Sequence, residues 1–388
     1  MDYRSEKKFR YIYQDSNRYF AQLPEDVLDM GVSELSEFNA ENIERDRRGI
    51  YFTASKEDLY RINYKARLFS RFLAPLIRFN CPDDKALYRI AKIIPWAELI
   101  SSYDTFAIFA NVSDSEISHS RYASQKLKDA VVDTIRDKTG SRPDVDPLDP
   151  DIWINLHIRK DKAVISIATS GGALHRRGYR KESVPAPIQE TLAAAIIRMS
   201  GWNGEKPLYD PMCGSGTLLS EALMHYCNVP SAYLRNQFGF EYLPDYNRDL
   251  WQELKSVENK KIRTLPKGLI AGSDISVKAI SAARTNMREL PEGRNIKLKV
   301  QDFNKIKSIN DSVIVCNPPY GIRLGKDDDM NEFYKSFGDF LKQKCTNSTA
   351  YIYFGERELL KSIGLKPKWK KPFKNGGLDG RLTKFELY

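Results

Sequence analysis

Cysteine is scarce in this chain and shows no pairing pattern. The five residues Cys81, Cys213, Cys227, Cys316 and Cys345 are scattered over 388 positions without a CxxC pair. An odd, dispersed set argues against both a disulfide framework and a thiolate zinc site, and fits a reducing, cytoplasmic compartment. Histidine is scarcer still. His119, His157, His175 and His225 have no metal-ligand spacing, so no metal is expected. No apolar run reaches the roughly 18 residues that span a bilayer. Residues 1–10 are too charged for a secretory signal, so neither a membrane partner nor export is expected. Internal repeats and low-complexity segments are also lacking.

The length of 388 residues suits two or three domains, and 41% hydrophobic with 29% charged residues is an ordinary globular balance. Lysine and arginine number 61 against 51 aspartates and glutamates, a formal charge of +10. An excess of this sign suggests an acidic partner, nucleic acid being the commonest, but says nothing about fold.

Periodicity divides the chain. Residues 1–79 mix alternating runs (Gly49-Ile50-Tyr51-Phe52) with helical ones (58–72). Residues 83–138 place two helix-like pieces around a strand at 105–110. The second, 122–136, sets Leu127, Ala130, Val131 and Ile135 on one face. After a turn-rich break at 142–147, the alternating strand 151–158, an Arg-Lys-Asp turn and a second strand at 162–169 predict a hairpin. A basic stretch begins at Ser170-Gly171-Gly172 and is expected to be an irregular linker. Beyond it strands at 207–209, 268–273, 296–300, 312–316 and 349–354 alternate with helices at 187–199, 277–290 and 330–341. That alternation predicts a parallel sheet with crossover helices. A last hairpin, 366–373 and 382–387 around Asn375-Gly376-Gly377, fits a sheet ending in antiparallel strands better than a six-stranded dinucleotide-binding one.

Four elements carry candidate chemistry, each after a strand. Asp210-Pro211-Met212-Cys213-Gly214-Ser215-Gly216-Thr217 precedes a helix. Its two glycines permit a sharp turn and close backbone approach. The third glycine of a dinucleotide fingerprint is missing and an acid stands first, which suits an ammonium and sulfonium ligand better than a pyrophosphate. Asp274 ends the next strand, where an acid can accept both hydroxyls of a ribose. Asp302-Phe303 ends the third, a carboxylate for an adenine amine beside an aromatic to cover the ring. Singly, each acid is as readily a helix cap. Asn317-Pro318-Pro319-Tyr320-Gly321 follows the fourth and is the most specific. The Asn317 side-chain oxygen and Pro318 carbonyl could accept both hydrogens of an exocyclic amine and restore its nucleophilicity, while the prolines fix the backbone. Tyr320 could stack on an extruded base.

In this order the four elements resemble the class I amino-methyltransferases. The run Leu174-His175-Arg176-Arg177-Gly178-Tyr179-Arg180, followed by Ala186-Pro187-Ile188-Gln189-Glu190-Thr191, narrows the resemblance. It is similar to the bacterial family that forms N2-methylguanosine in large-subunit ribosomal RNA, in its form with one methyltransferase domain.

That resemblance implies an α/β chain: a ferredoxin-like α+β segment over 1–60, a THUMP RNA-binding domain over 61–169, a basic linker over 170–186 and a Rossmann-like methyltransferase domain over 187–388. It implies S-adenosyl-L-methionine as donor, bound by Asp210, Pro211, Gly214, Gly216, Thr217, Asp274, Ile275, Asp302, Phe303 and Asn317. Asn317, Pro318 and Tyr320 would act on a guanine N2 of 23S ribosomal RNA, in a cytoplasmic monomer. Arg176, Arg177, Tyr179, Arg180 and Lys181 are expected to contact RNA phosphates. Relatives that methylate transfer RNA share these motifs, and a silent ribosome-assembly factor on the same fold is the other alternative. Cys213 and Cys316 are read as packing residues, since methylating an amine needs no covalent base intermediate. The run Lys366-Pro367-Lys368-Trp369-Lys370-Lys371 fits a solvated hairpin face as well as an RNA contact.

Overall fold

The computed structural model describes residues 9–185, 187–320, 330–374 and 379–388. The chain divides into two units, one of Met1–Leu174 with Asn236–Lys255, the other of His175–Arg235 with Ser256–Tyr388.

The first unit is built on an eight-stranded sheet. Its strands are β1 (Arg18–Gln22), β2 (Glu41–Asp46), β3 (Gly49–Thr53), β4 (Arg71–Asn80), β5 (Thr105–Ser113), β6 (Asp144–Val145), β7 (Ile152–Arg159) and β8 (Lys162–Ala168), in the order β2-β3-β1-β4-β8-β7-β5-β6. The helices are α1 (Ile12–Ser16), α2 (Leu28–Ser36), α3 (Lys56–Lys65), α4 (Asp84–Ala91) and α5 (Ser120–Thr139). Residues 1–60 and 61–169 therefore share one continuous sheet, joined where β1 pairs with β4 and β4 with β8. Alternation gives the sheet two faces. Tyr19, Ala21, Phe52, Phe72, Ala74, Ile154, Leu156, Ile165 and Ile167 are buried on one, and α2 and α5 lie against its strands. The other face carries Phe20, Tyr51, Trp153 and a set of polar side chains.

The predicted helix over 58–72 stops at Lys65. Buried Glu34 accepts the backbone N–H groups of Arg67 and Leu68, both at 3.0 Å, and so supports the turn out of the helix. The strand that follows, β4, carries Pro75 in its interior. Proline is tolerated there because pairing with β1 ends at Leu73 and the register to β8 shifts between Pro75 and Ile77. The expected hairpin is β7–β8, its turn made by Lys160 and Asp161 with φ of 49° and 53°.

Segment 236–255, expected to belong with the C-terminal domain, packs in the first unit. Tyr60 stacks on Phe240 at 4.4 Å, Tyr64 meets Trp251 edge-on at 5.3 Å, and the Tyr13 hydroxyl donates to Asp245 at 2.8 Å. Burial of such rings gives the segment more than its polar composition suggests.

The second unit contains α6 (Glu190–Ser200), β9 (Leu208–Asp210), α7 (Thr217–Tyr226), the end of α8 (Arg248–Lys260), β10 (Ile270–Asp274), α9 (Val277–Arg288), β11 (Lys297–Val300), β12 (Val313–Cys316), α10 (Met330–Lys344), β13 (Ser348–Phe354), β14 (Trp369–Pro372) and β15 (Arg381–Leu387). The strand order is β11-β10-β9-β12-β13-β15-β14. The first five are parallel, while β15 runs antiparallel to both β13 and β14. This is the expected class I methyltransferase sheet with its closing hairpin; the hairpin's tip at 375–378 lies outside the described residues. From β9 the chain winds outward to β10 and β11, then returns to place β12 on the other side of β9. The crevice at such a reversal, beyond the carboxyl ends of the strands, is where open α/β sheets bind ligands.

Candidate active site

The parallel ladder brings the four elements together. Asp210 pairs with Gly272 across β9 and β10, Asp274 with Val300 across β10 and β11, and Tyr209 with Ile314 across β9 and β12. Each functional residue sits at or just past a strand's carboxyl end, so the acids and Asn317 converge on one rim. Gly321, last of the Asn-Pro-Pro-Tyr-Gly run, lies outside the described residues.

The glycine loop turns as its sequence requires. Gly214 and Gly216 have φ of 54° and 83°. A Cβ on Gly216 would stand 2.5 Å from Met287 Cε and 3.2 Å from Ala283 Cβ, so α9 packs directly against this turn. The loop is tied to the next strand by the Gly214 N–H, which donates to Asp274 Oδ2 at 2.9 Å. The Ser276 N–H donates to Asp274 Oδ1 at the same distance. Asp274 thus already holds two backbone groups, and each oxygen keeps a further lone pair.

Asp210 is 1% exposed. Burial pushes its carboxyl up to about 8, against the Met212 N–H that it accepts; the charge of Asp274 raises it further and a hydrogen bond with Cys316 lowers it. A carboxylate so reluctant to ionise favours a cationic ligand, which would restore the charge balance. Asn317 Oδ1 is also buried and accepts no hydrogen bond among the described residues. An orphaned acceptor of this kind costs about 1–3 kcal/mol. It awaits a donor.

Other residues are placed differently from their expected roles. Asp302 accepts the Asn304 N–H at 2.9 Å and caps a short turn. Phe303 is 6% exposed and meets Phe333, Phe337 and Phe340 edge-on at 5.5–5.6 Å, so its ring belongs to the aromatic core of the unit. The exposed apolar side chain on this rim is Ile275, at 70%. Tyr320 is 6% exposed, with its ring edge-on to Tyr353 at 6.3 Å and close over Gly355, where a Cβ would come within 2.5 Å. It presents a wall here, not an open stacking platform. The Cys213 and Cys316 thiols are pushed well above their ordinary range, chiefly by burial and then by the charge of Asp210. Both stay protonated and unreactive.

The basic run after Leu174 is where structure and expectation part. Arg177 and Tyr179 are buried, and both donate to Glu221 Oε1 on α7, at 3.3 and 3.1 Å. Arg180 donates to Glu190 Oε1 at 2.8 Å, to the Ile188 carbonyl at 3.0 Å and to Ser215 Oγ of the glycine loop at 3.4 Å. The Lys181 and Glu182 N–H groups donate to Asn286 Oδ1 on α9, whose amide in turn donates to the Ser215 carbonyl at 3.1 Å. Phosphate contact by Arg177, Tyr179 and Arg180 is therefore corrected: buried carboxylates take their donors, and the expected linker is a strap across the glycine loop. Arg176 and Lys181 remain exposed.

The RMKL-like methyltransferase domain matches residues 177–384, and the THUMP domain matches residues 81–168. The chain belongs to this methyltransferase family. A Synechocystis protein named as a candidate RNA methyltransferase is 37% identical over 371 residues, covering 95% of this chain and 97% of the relative. Ribosomal RNA large subunit methyltransferase K/L of Vibrio parahaemolyticus is 37% identical over 96% of this chain. The chain spans about half of that relative's length, 53%. Among solved structures, a candidate methyltransferase complexed with SAH superposes with a TM-score of 0.83 at 25% identity, covering 96% of this chain and 98% of the other. The family's cofactor is S-adenosyl-L-methionine. The positive-φ loop, the buried acid and the second acid on the rim fit it.

Proposed function

We propose that the chain methylates the exocyclic N2 of a guanosine in 23S ribosomal RNA. The orphaned, buried Asn317 Oδ1 at the end of β12 carries this reading, because it is an acceptor built without a partner beside the acids of the donor site. The THUMP match supports RNA as substrate, and the names of the large-subunit relatives support ribosomal RNA.

When bound, S-adenosylmethionine supplies an electrophilic methyl group. Asp210 faces its ammonium and sulfonium end, the Gly214–Thr217 turn lies along it, and Asp274 takes the ribose hydroxyls. Pro211 holds the strand-to-loop corner. Asp302 and Ile275 meet the adenine, while Phe303 supports them from the core. Asn317 Oδ1 and the Pro318 carbonyl accept the two amine hydrogens. This pulls the nitrogen toward sp³ geometry and stabilises the positive charge that develops as the methyl arrives. The acceptors are already in place, so little reorganisation opposes the step. Tyr320, packed on Gly355, holds the proline turn in position.

The test is single-turnover transfer of labelled methyl into RNA with nucleoside analysis. N2-methylguanosine is expected, with large-subunit RNA a better substrate than transfer RNA. Asn317→Ala should lower kcat about 10²–10³-fold, as loss of one preorganised transition-state contact does. Asn317→Asp, still an acceptor, should keep partial activity. A different methylated nucleoside, or a near-normal rate for Asn317→Ala, overturns the assignment.

A further inference from the structure

The eight-stranded sheet leaves one face uncovered by helices, and that face holds a cavity of about 730 Å³. Six arginines line it: Arg18 on β1, Arg45 at the end of β2, Arg47 and Arg48 in the β2–β3 turn, Arg78 on β4 and Arg159 on β7. Only three acids join them, Glu44, Asp46 and Asp114. The acids are already occupied. Glu44 pairs with Arg18, Asp114 lies 4.0 Å from Arg159, and Asp46 accepts the Arg47 backbone N–H at 2.6 Å. Arg45 reaches Asp29 at 2.7 Å. Arg47, Arg48 and Arg78 are exposed and have no carboxylate partner among the described residues. Three uncompensated guanidinium groups around a concavity make a strong anion-binding field.

Aromatic rings stand among these charges. Phe20 and Tyr51 face each other across β1 and β3 with centroids 4.7 Å apart, and Arg18 lies over the Tyr51 ring at 5.0 Å. Further along the same face Arg71 sits over Phe109 at 4.4 Å and over Trp153 at 5.5 Å. Phe109 and Trp153 alternate in step with Asn111, Asn155 and His157, which line the cavity. Burial and the neighbouring Arg48 hold the His157 pKa below its usual value, so it is a neutral hydrogen-bonding group.

We propose that this open sheet face, shared by residues 12–78 and the THUMP match, binds a single-stranded segment of the substrate RNA. The arginines would hold phosphates, while Phe20 with Tyr51 and Phe109 with Trp153 receive unpaired bases. A duplex hides its base faces and offers only phosphates and groove edges. Paired rings on a flat sheet between arginines suit splayed, unpaired nucleotides. From β1 to β5 is four strand spacings, about 19 Å at roughly 4.8 Å each, room for about four to six nucleotides. The first part of this site, residues 12–78, lies outside both matched domains.

This rests on RNA as substrate but not on the guanine N2 product. The test uses the full chain and a short fluorescein-labelled oligouridylate, with an RNA duplex of equal length as comparison. The triple variant Arg47→Gln/Arg48→Gln/Arg78→Gln should reduce oligouridylate affinity about 50-fold at 0.15 M salt. It should flatten the slope of log affinity against log salt by about two, at roughly 0.7 per phosphate contact. Tyr51→Leu/Trp153→Leu should weaken the single strand at least about fivefold with the slope unchanged, and should leave the duplex unaffected. S-adenosylmethionine titration and the thermal midpoint check that each variant is folded. Unchanged oligouridylate affinity in a folded triple variant overturns the proposal, even if the variant loses a protein partner. Equal losses for strand and duplex in the aromatic variant overturn the single-strand assignment. Either result leaves a product of N2-methylguanosine intact, and a different product leaves these affinities intact.

Discussion

The two sheets use polar groups in opposite ways. On the rim of the seven-stranded sheet, polar atoms are few, buried and held in place: Asp210 at 1% exposure, Asn317 Oδ1 without a partner, Asp274 already accepting two backbone groups. On the open face of the eight-stranded sheet they are many and exposed, with Arg47, Arg48 and Arg78 unmatched. A dry site makes each electrostatic contact strong, and each costs stability when its ligand is away. A wet face makes each contact weak and salt-screened, so affinity needs several at once. Catalysis should therefore fail at single residues, and RNA binding should fail by degrees.

The largest effect that would break this comparison is at Asp274. Replacing it with Ala removes charge-assisted bonds to the ribose, about 1.5–3 kcal/mol, and should weaken S-adenosylmethionine roughly ten- to a hundredfold by isothermal titration. It also frees the Gly214 N–H, so Asp274→Asn, which keeps an acceptor, should fall between the two. Oligouridylate affinity should not change. A parallel loss of RNA binding would mean that the donor site and the RNA surface are not independent.

Asp210 gives the next effect, through pH. Its folded-state carboxyl lies near 8, above the ordinary carboxylate value of about 4. Between those values the unfolded chain binds fewer protons than the folded one, so the protein without ligand should lose stability as pH rises from about 4 to about 8. Binding a cation requires the ionised form. Donor affinity should therefore rise about tenfold from pH 6 to pH 7 and level off near pH 8. Asp210→Asn should bind weakly, remove the slope and raise the ligand-free thermal midpoint at pH 8. A flat affinity profile in the unsubstituted protein would remove Asp210 from contact with the cationic end of the donor.

The same contrast explains what the sequence made legible. The rim could be read because a parallel sheet turns sequence order into spatial neighbourhood: acids after successive strands had to meet. The closing hairpin followed from alternation. The strap over the glycine loop could not be read in this way. Arg177 and Tyr179 look like an exposed basic run, and their partner Glu221 stands more than forty positions later, on an apolar helix face. Its burial is set by packing alone. Segment 236–255 carried a signal in Phe238, Phe240, Tyr246 and Trp251, but the Tyr60 and Tyr64 surface that receives it is far upstream. The basic face was present as Arg45-Asp46-Arg47-Arg48. It became a site only when β1, β4 and β7 brought Arg18, Arg78 and Arg159 beside it.

The smallest effect sharpens the comparison from the inside of the dry site. Cys213 lies in the glycine loop, 7% exposed, between two acids. Burial and the charges of Asp210 and Asp274 hold its thiol protonated, and its Sγ is 3.9 Å from the Gly214 carbonyl. A thiol in that state is neither nucleophile nor base at neutral pH. Cys213→Ser keeps the volume within one atom and keeps a donor for the carbonyl, at the cost of burying a more polar group, about 1 kcal/mol. Activity should stay within a few-fold and the thermal midpoint should drop by a few degrees. Cys316→Ser differs in one respect, because that thiol is hydrogen-bonded to Asp210. A hydroxyl there is a better donor to the carboxylate and should shift the pH at which donor affinity levels off downward. If Cys213→Ser instead abolished turnover while donor and RNA still bound, a thiol would be taking part in the chemistry, and direct transfer to the amine held by Asn317 would have to be abandoned.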